Sequence, residues 1–220
     1  VNDCGADEIV LVDTLGVATP ETMAYLTKLV KSWVDVPVAI HCHNDFGLSL
    51  ACTIACLKEG ADCAHVTVNG LGEKSGNTDI AELAIALQGL YGVEMNLKLE
   101  ELLETSKLVE EISGIPVSSM RPVVGDKVFT RESGLVVAQM LVYPPSVEGY
   151  APEVVGRKRE VSLGKKSGKK SIEYVLGQLN LEINDSKVDF LLDEVKKLSI
   201  EKGGTVSLEE FKTMALEYNK

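Results

Sequence analysis

Long apolar runs are missing from this 220-residue chain, so no stretch is expected to span a bilayer as a helix. Cations are in the minority. Lys and Arg total 22 against 33 Asp and Glu, a formal net charge of −11, which argues against a nucleic-acid surface because phosphate binding needs a cationic face. Aromatic residues make up only 5% and histidines number three, so any histidine that falls into a pattern carries weight. The cysteines Cys4, Cys42, Cys52, Cys56 and Cys63 are odd in number and form no Cys-x-x-Cys pair. That excludes a closed disulfide framework and points to a reducing compartment, with a cytoplasmic location expected. Cys52 and Cys56 lie one helical turn apart but read as small buried hydrophobes rather than ligands. An initiating Met is absent and no charged-then-apolar leader precedes Ala6; the expectation is a fragment without a signal peptide.

What remains is ordinary globular composition, 45% hydrophobic and 25% charged, in a length that can bury a core unaided. Three short β-branched runs, 8–12, 36–40 and 64–68, read as strands, and each is followed by a helical pattern. The first helix has Thr19 as cap and Pro20 in its first turn ahead of Met23, Leu26, Val30 and Trp33. The second carries Leu50, Ile54 and Leu57; the third carries Ile80, Leu83 and Leu87. Gly5 to Gly16 resembles Gly60 to Gly72, as successive β/α units would. A doubly wound open sheet and part of an eight-fold β/α barrel both satisfy this pattern, and in either fold chemistry collects at the carboxyl ends of the strands.

Beyond Tyr91 the pattern changes. Residues 99–112 form an amphipathic helix, 117–164 read as an irregular proline-containing connection, and helices are expected over 169–179, 186–198 and 207–218, the last with a Ser207/Glu210 capping box. The division expected is residues 1–118, bearing the β/α units, and residues 119–220, a smaller and mostly helical subdomain.

The polar residues fall at the strand ends: Asp13-Thr14, then His41-Cys-His-Asn-Asp45, then 69–77. In His41-x-His43 the two side chains project from one face of a strand, and imidazole is the commonest side-chain metal ligand. The alternative is a pair of hydrogen-bonded polar histidines. A third ligand would come from Asn77, Asp45 or Asp13; Asp45 also reads as an orienting group or a helix cap. His65 stands at the start of its strand, at the far end from these groups, and is read as structural. Gly70-x-Gly72-x-x-x-Gly76 joins a strand to a helix without Rossmann or Walker spacing, and either offers amides to an anion or simply turns the chain. Glu73 and Lys74 within it pair with each other or with the strand-end groups.

Taken in order, Asp13-Thr-Leu-Gly16 with Pro20, His41-Cys-His-Asn-Asp45 and 67–77 (TVNGLGEKSGN) resemble the last three strand-end motifs of the metal-dependent TIM-barrel acyltransferases and lyases. That family includes isopropylmalate, homocitrate and citramalate synthases, hydroxymethylglutaryl-CoA lyase and oxo-acid aldolases. The later PEVVG (152–156) and LGKKSG (163–168) resemble the linker subdomain of the synthase branch. The resemblance implies an α/β fold made of the last three units of a (β/α)8 barrel, followed by the helical linker. It implies an acyltransferase of amino-acid biosynthesis that condenses acetyl-CoA with a small 2-oxo acid on a divalent cation, Mg²⁺, Mn²⁺ or Zn²⁺. His41, His43 and Asn77 would hold the cation, Thr14 the oxo-acid carboxylate, with Asp45 and Glu73 orienting them. A homodimer through the linker is implied, with no nucleic-acid or membrane partner.

Departures from the family's pattern are equally specific. The Arg-Asp segment that supplies the family's third metal ligand is not in this sequence. Where the synthases show two histidines around Ser-Gly, this chain has TRESGLVV (130–137), and Lys74 replaces the usual Arg. No catalytic acid or base is assigned, and a carbon–carbon lyase or aldolase on the same scaffold is the first alternative, a non-catalytic interaction or regulatory fragment the second. The isolated chain is expected to be inactive and to expose the edge of its first strand. The basic stretch 157–170 reads as solvated surface, with CoA phosphates as the alternative.

Overall fold

The structure, a computed structural model, describes residues 4–218. Its first part alternates β1 (Ile9–Asp13), α1 (Pro20–Lys31), β2 (Val38–Cys42), α2 (Ser49–Lys58), β3 (Cys63–Ala64) and α3 (Ile80–Tyr91), and then adds α4 (Leu102–Ser113). Local chemistry sets the boundaries. Thr19 Oγ1 accepts the Thr22 amide at the start of α1, Asp79 accepts the amides of Ala81 and Glu82 at the start of α3, and Gly92 closes α3 in the left-handed region.

The three strands pair in parallel, in the order β1-β2-β3, with Val12 opposite His41 and Ala39 opposite Cys63. Alternation gives the sheet two faces. On one, Leu11, Ile40 and Cys42 pack onto Met23, Cys52 and Cys56 from α1 and α2. The other carries Val10, Val12, Ala39 and His41, with Val12 52% exposed. Parallel sheets are ordinarily covered on both sides, so this is the face on which a further layer would rest.

Two expectations shift here. The third strand was expected over 64–68, but β3 ends at Ala64: His43 leaves the ladder to bridge Asn77, Thr67 bridges Asp79, and the chain tightens into a 3-10 turn at Val68–Gly70. Trp33 does not extend the buried stripe of α1. Ser32 ends the helix by donating its hydroxyl to Leu29 O at 2.6 Å, Trp33 is exposed, and the stripe is Met23, Thr27 and Val30.

By internal contacts the chain divides into two compact units, Val1–Gly125 and Asp126–Lys220. The second pairs β4 (Thr130–Arg131) with β5 (Glu160–Val161) and surrounds them with α5 (Gly134–Val142), α6 (Lys169–Gln178), α7 (Asp185–Lys202) and α8 (Leu208–Tyr218). Val137, Leu163, Ile172, Leu191, Val195 and Phe211 form its core. The three tail helices and the Ser207/Glu210 capping box stand where the sequence places them. Helix α5 interrupts the stretch expected to be irregular; its GLVVAQMLV run is apolar on nearly every side and so carries little helical period to read. The basic stretch is neither a phosphate face nor solvated surface throughout. Arg157 is buried and donates to Asp126 O at 2.9 Å, Arg159 is clasped by Glu148 and Glu153, and Lys169 and Lys170 pair with Asp189 and Glu173. No helix among the described residues is long and apolar enough to cross a membrane.

Candidate functional site

His41 is the fourth residue of β2 and His43 lies just past its end, two positions on and therefore on the same face. Their ring centroids are 5.1 Å apart at an interplanar angle of 66°. Asn77 reaches them from the loop before α3: its backbone bridges His43, and its side-chain Nδ2 stands 3.1 Å from His41 Nε2. The three residues expected to act together are thus neighbours. His43 Nδ1 is buried without a hydrogen-bond partner, which marks the pair as more than a satisfied polar cluster. The His41 pKa is lowered, first by burial and then by the charges of His43 and His65, so the ring favours the neutral form whose lone pair a cation or proton can use.

The glycine loop is held tightly beside them. A Cβ on Gly72 would collide with Asn77 Oδ1, and one on Gly76, at φ +83°, with the Gly70 carbonyl, so these two positions exclude other residues. Lys74 leans out of the loop, donating to Thr14 O at 2.5 Å and pairing with Asp45 at 2.9 Å. One ammonium therefore joins the loops that follow β1, β2 and β3. Asp45 is thus engaged by Lys74, and it is Asn44 that accepts the amide and hydroxyl of Ser49 at the start of α2. Asp13 is turned into its own loop, accepting the amides of Val17 and Ala18. Thr14 is exposed at the strand end. Glu73 is also exposed, and its carboxylate has no partner among the described residues, so the orienting contact expected of it is not made.

Three residues make contacts that the sequence does not announce. His65 does not stand at the far end of its strand. Because β3 is so short, His65 follows it, donating its amide to Ile40 O at 2.8 Å, and its ring centroid lies 5.6 Å from that of His41. The sequence carried no signal for this, because it depends on where β3 stops. Arg121 forms the second bond of a clamp, its Nε and Nη2 at 3.1 and 2.9 Å from the Asp79 carboxylate that caps α3. Asn69, in the left-handed region at φ +59°, exchanges hydrogen bonds with Ser106 of α4. Between the loop and residues 115–121 lies a cavity of about 400 Å³ lined by Gly70, Leu71, Ser75, Pro116, Ser118 and Arg121.

The donor types fit a divalent ion: two imidazoles on one rigid strand, the buried His43 nitrogen unpartnered, and an amide alongside. The set is short of a third strong donor. Among the described residues, no group of three or more His, Cys, Asp or Glu side chains is arranged to hold an ion as it stands.

Comparison with known proteins adds the following. The model of the HMGL-like family matches residues 1–109, and that of the homocitrate synthase post-HMGL domain-like family matches residues 123–203. A protein of Archaeoglobus fulgidus named as an (R)-citramalate synthase is 42% identical over 209 residues, which are 95% of this chain and 42% of that protein. The 2-isopropylmalate synthase of Methanocaldococcus jannaschii is 39% identical over 209 residues, covering 93% of this chain and 40% of its own length. Among solved structures, an HMG-CoA lyase of Bacillus subtilis aligns at 27% identity with a TM-score of 0.48, covering 54% of this chain and 42% of that one. The chain spans about two fifths of the length of the curated relatives it matches.

Proposed function

Since the chain belongs to the HMGL-like family and continues into a homocitrate synthase post-HMGL domain-like segment, we propose that it is the histidine-bearing part of a metal-dependent synthase condensing acetyl-CoA with a small 2-oxo acid. In this reading residues 1–118 supply the last three units of a (β/α)8 barrel and residues 119–220 the linker subdomain, through which two copies associate. The observation that carries it is the meeting of His41, His43 and Asn77 at the carboxyl end of a parallel sheet. His41 and His43, with Asn77 beside them, would hold the divalent cation, which when bound supplies a fixed positive charge against the oxyanion that develops on a keto group.

The chain's own residues then have separable tasks. Burial lowers the His41 pKa, which favours the neutral ring whose nitrogen a cation would use. Before the ion binds, the Asn77 amide would hold the direction of that ring. The exposed Thr14 hydroxyl would donate to a substrate carboxylate, and Lys74 holds the Thr14 loop by its carbonyl. No residue of the second unit is given a proton-transfer role. Arg131, in the segment where the synthases carry histidine, donates instead to the carbonyls of Val128, Thr130 and Val147. A lyase or aldolase reading on the same scaffold has less support, because residues 123–203 match a segment described as following the HMGL-like part in homocitrate synthases.

The test is release of free CoA thiol from acetyl-CoA, followed in the enzyme that contains this chain across 2-oxo acids of increasing size. Thiol release is expected to require both a 2-oxo acid and a divalent ion, and His41→Ala or His43→Ala to lower kcat/KM by at least about 100-fold. Unchanged turnover in both variants would reject the metal-dependent reading, and consumption of a CoA thioester with no added oxo acid would move the enzyme to the lyase class.

A further inference from the structure

Helix α4 lies outside the β/α alternation, yet one of its residues reaches the loop that carries Asn77. Ser106, 3% exposed, donates its hydroxyl to Asn69 Oδ1 at 2.5 Å, and its carbonyl accepts Asn69 Nδ2 at 2.9 Å. Asn69, 37 positions earlier, is itself 6% exposed. A side-chain amide offers both the donor and the acceptor that this exchange needs.

The backbone here is unusual. Asn69, at φ +59°, and Gly70, at φ +61°, are consecutive left-handed residues in the 3-10 turn at Val68–Gly70. Asparagine tolerates that region but does not prefer it, so a hold from outside the turn matters. What the turn presents is the Gly70 carbonyl. It accepts the Asn77 amide at 3.0 Å, and a Cβ on Gly76 would collide with it. The Gly76 carbonyl in turn accepts the Asn44 amide at 3.0 Å, one residue past His43. A chain of bonds therefore runs from Ser106 through Asn69 and Gly70 to Asn77, and by Gly76 to the backbone beside His43. The base of the loop is closed separately, by the Thr67 amide donating to Thr78 O at 2.9 Å. Losing the Ser106 bonds would leave that base intact and free the part that bears Asn77.

We propose that Ser106 and Asn69 are positioning residues: the tether from α4 sets where the Asn77 loop stands against His41 and His43, and itself touches neither ion nor substrate. The inference rests on the reading of His41, His43 and Asn77 as the reacting site. A displacement of about 1 Å at a reacting site can lower the rate on the order of 100-fold, so a slack tether acts on turnover. The oxo-acid carboxylate is assigned to Thr14, in a different loop, and substrate affinity should change little.

The test is a double-mutant cycle in the enzyme that contains this chain, using Ser106→Ala, Asn69→Gly and the two combined. Asn69→Gly keeps the left-handed turn and removes the tether. Hydrogen exchange is read by peptide mass spectrometry, and kcat and KM are measured for the 2-oxo acid. Each single variant is expected to quicken exchange at least about tenfold over residues 69–77, with α1 and α2 unchanged. Each should also lower kcat at least about tenfold, with KM within about twofold of wild type. The double variant should be no worse than the singles, because both remove one tether. Exchange that quickens throughout the first unit marks a stability role alone and overturns the proposal. So does a local change in exchange that leaves kcat as in wild type, or a pair of fully additive losses. Wild-type protection over 69–77 in Ser106→Ala overturns it outright. If the wild-type enzyme releases no thiol from acetyl-CoA, the condensing function fails instead, and exchange over 69–77 alone decides whether Ser106 positions the loop.

Discussion

Asn77 places its side-chain Nδ2 3.1 Å from His41 Nε2, one of the two ring nitrogens open to the proposed cation. Without metal the amide therefore holds the ring in register, and with metal it must turn its oxygen inward or step aside. Asn77→Asp replaces a weak oxygen donor by a charged one and should tighten Mn²⁺ binding by about tenfold, whereas Asn77→Ala should loosen it by a similar factor. Isothermal titration of the two variants against wild type checks both directions. Equal affinities in all three would remove Asn77 from the cation's surroundings.

The clamp between Arg121 and Asp79 predicts a stability effect. The Asp79 side chain is 2% exposed and that of Arg121 27%, and Glu82 stands 3.4 Å from the same guanidinium with its pKa raised, first by burial. Arg121→Ala leaves two carboxylates facing each other with their countercharge gone. The cost is roughly 2–3 kcal/mol, below that of a fully buried pair because Arg121 is partly solvated. Urea unfolding of the first unit measures it. Arg121→Lys should recover little, since one ammonium cannot reproduce the Nε and Nη2 bonds to a single carboxylate.

How much of this was legible in the residues depends on whether the controlling interaction was local. The caps at Thr19 and Ser207, the strands read over 8–12 and 36–40, and the shared face of His41 and His43 follow from composition and neighbours a few positions apart, and they are found in the structure. His65 was misplaced because its position depends on where β3 stops, and that is set by Thr67 bridging Asp79, a pairing no local pattern announces. The partner of Asp45 was hidden for a similar reason. It is Lys74, reached only once three loops converge. Arg121 falls in the stretch expected to be an irregular connection, since its partner lies 42 positions earlier.

Acid should weaken the tail helices in a defined sense. The Glu210 carboxyl is held down to about 2, first by Lys202 and then by the amide and hydroxyl of Ser207. A group depressed in the fold binds fewer protons there than in the unfolded chain. Its contribution is complete above the ordinary glutamate value and is lost as pH falls through the folded one. The difference in melting temperature between wild type and Glu210→Gln should therefore be present at neutral pH and shrink toward pH about 2. Because the carboxyl is solvent-accessible the difference is small, and it should shrink further in high salt.

Thiol chemistry separates the two faces of the sheet. Burial pushes Cys42 up to about 12 and Cys52 to about 11, and raises Cys56 as well, whereas Cys4 and Cys63 are exposed. Iodoacetamide at neutral pH should modify Cys63 and Cys4 in the folded chain and spare the other three until denaturant is added. Peptide mapping by mass spectrometry reads each site. Early labelling of Cys42 would show that the packing of β2 on α1 and α2 is looser than the structure has it.

Lys74 is the most economical point at which to disturb the site without touching it. Its ammonium binds the Thr14 carbonyl and the Asp45 carboxylate, yet the side chain is 38% exposed, so global stability should fall by no more than about 1 kcal/mol in Lys74→Met. The local effect should be larger. With the strap removed, the loops after β1, β2 and β3 lose their common tie, while the backbone bonds from Gly76 to Glu73 and from Asn77 to Gly70 remain. Hydrogen exchange should therefore quicken over residues 13–17 and 44–48 and change little at Gly76 and Asn77. Uniform protection across all of these segments in the variant would mean that the loops are held by their own turns, and that Lys74 only rests on them.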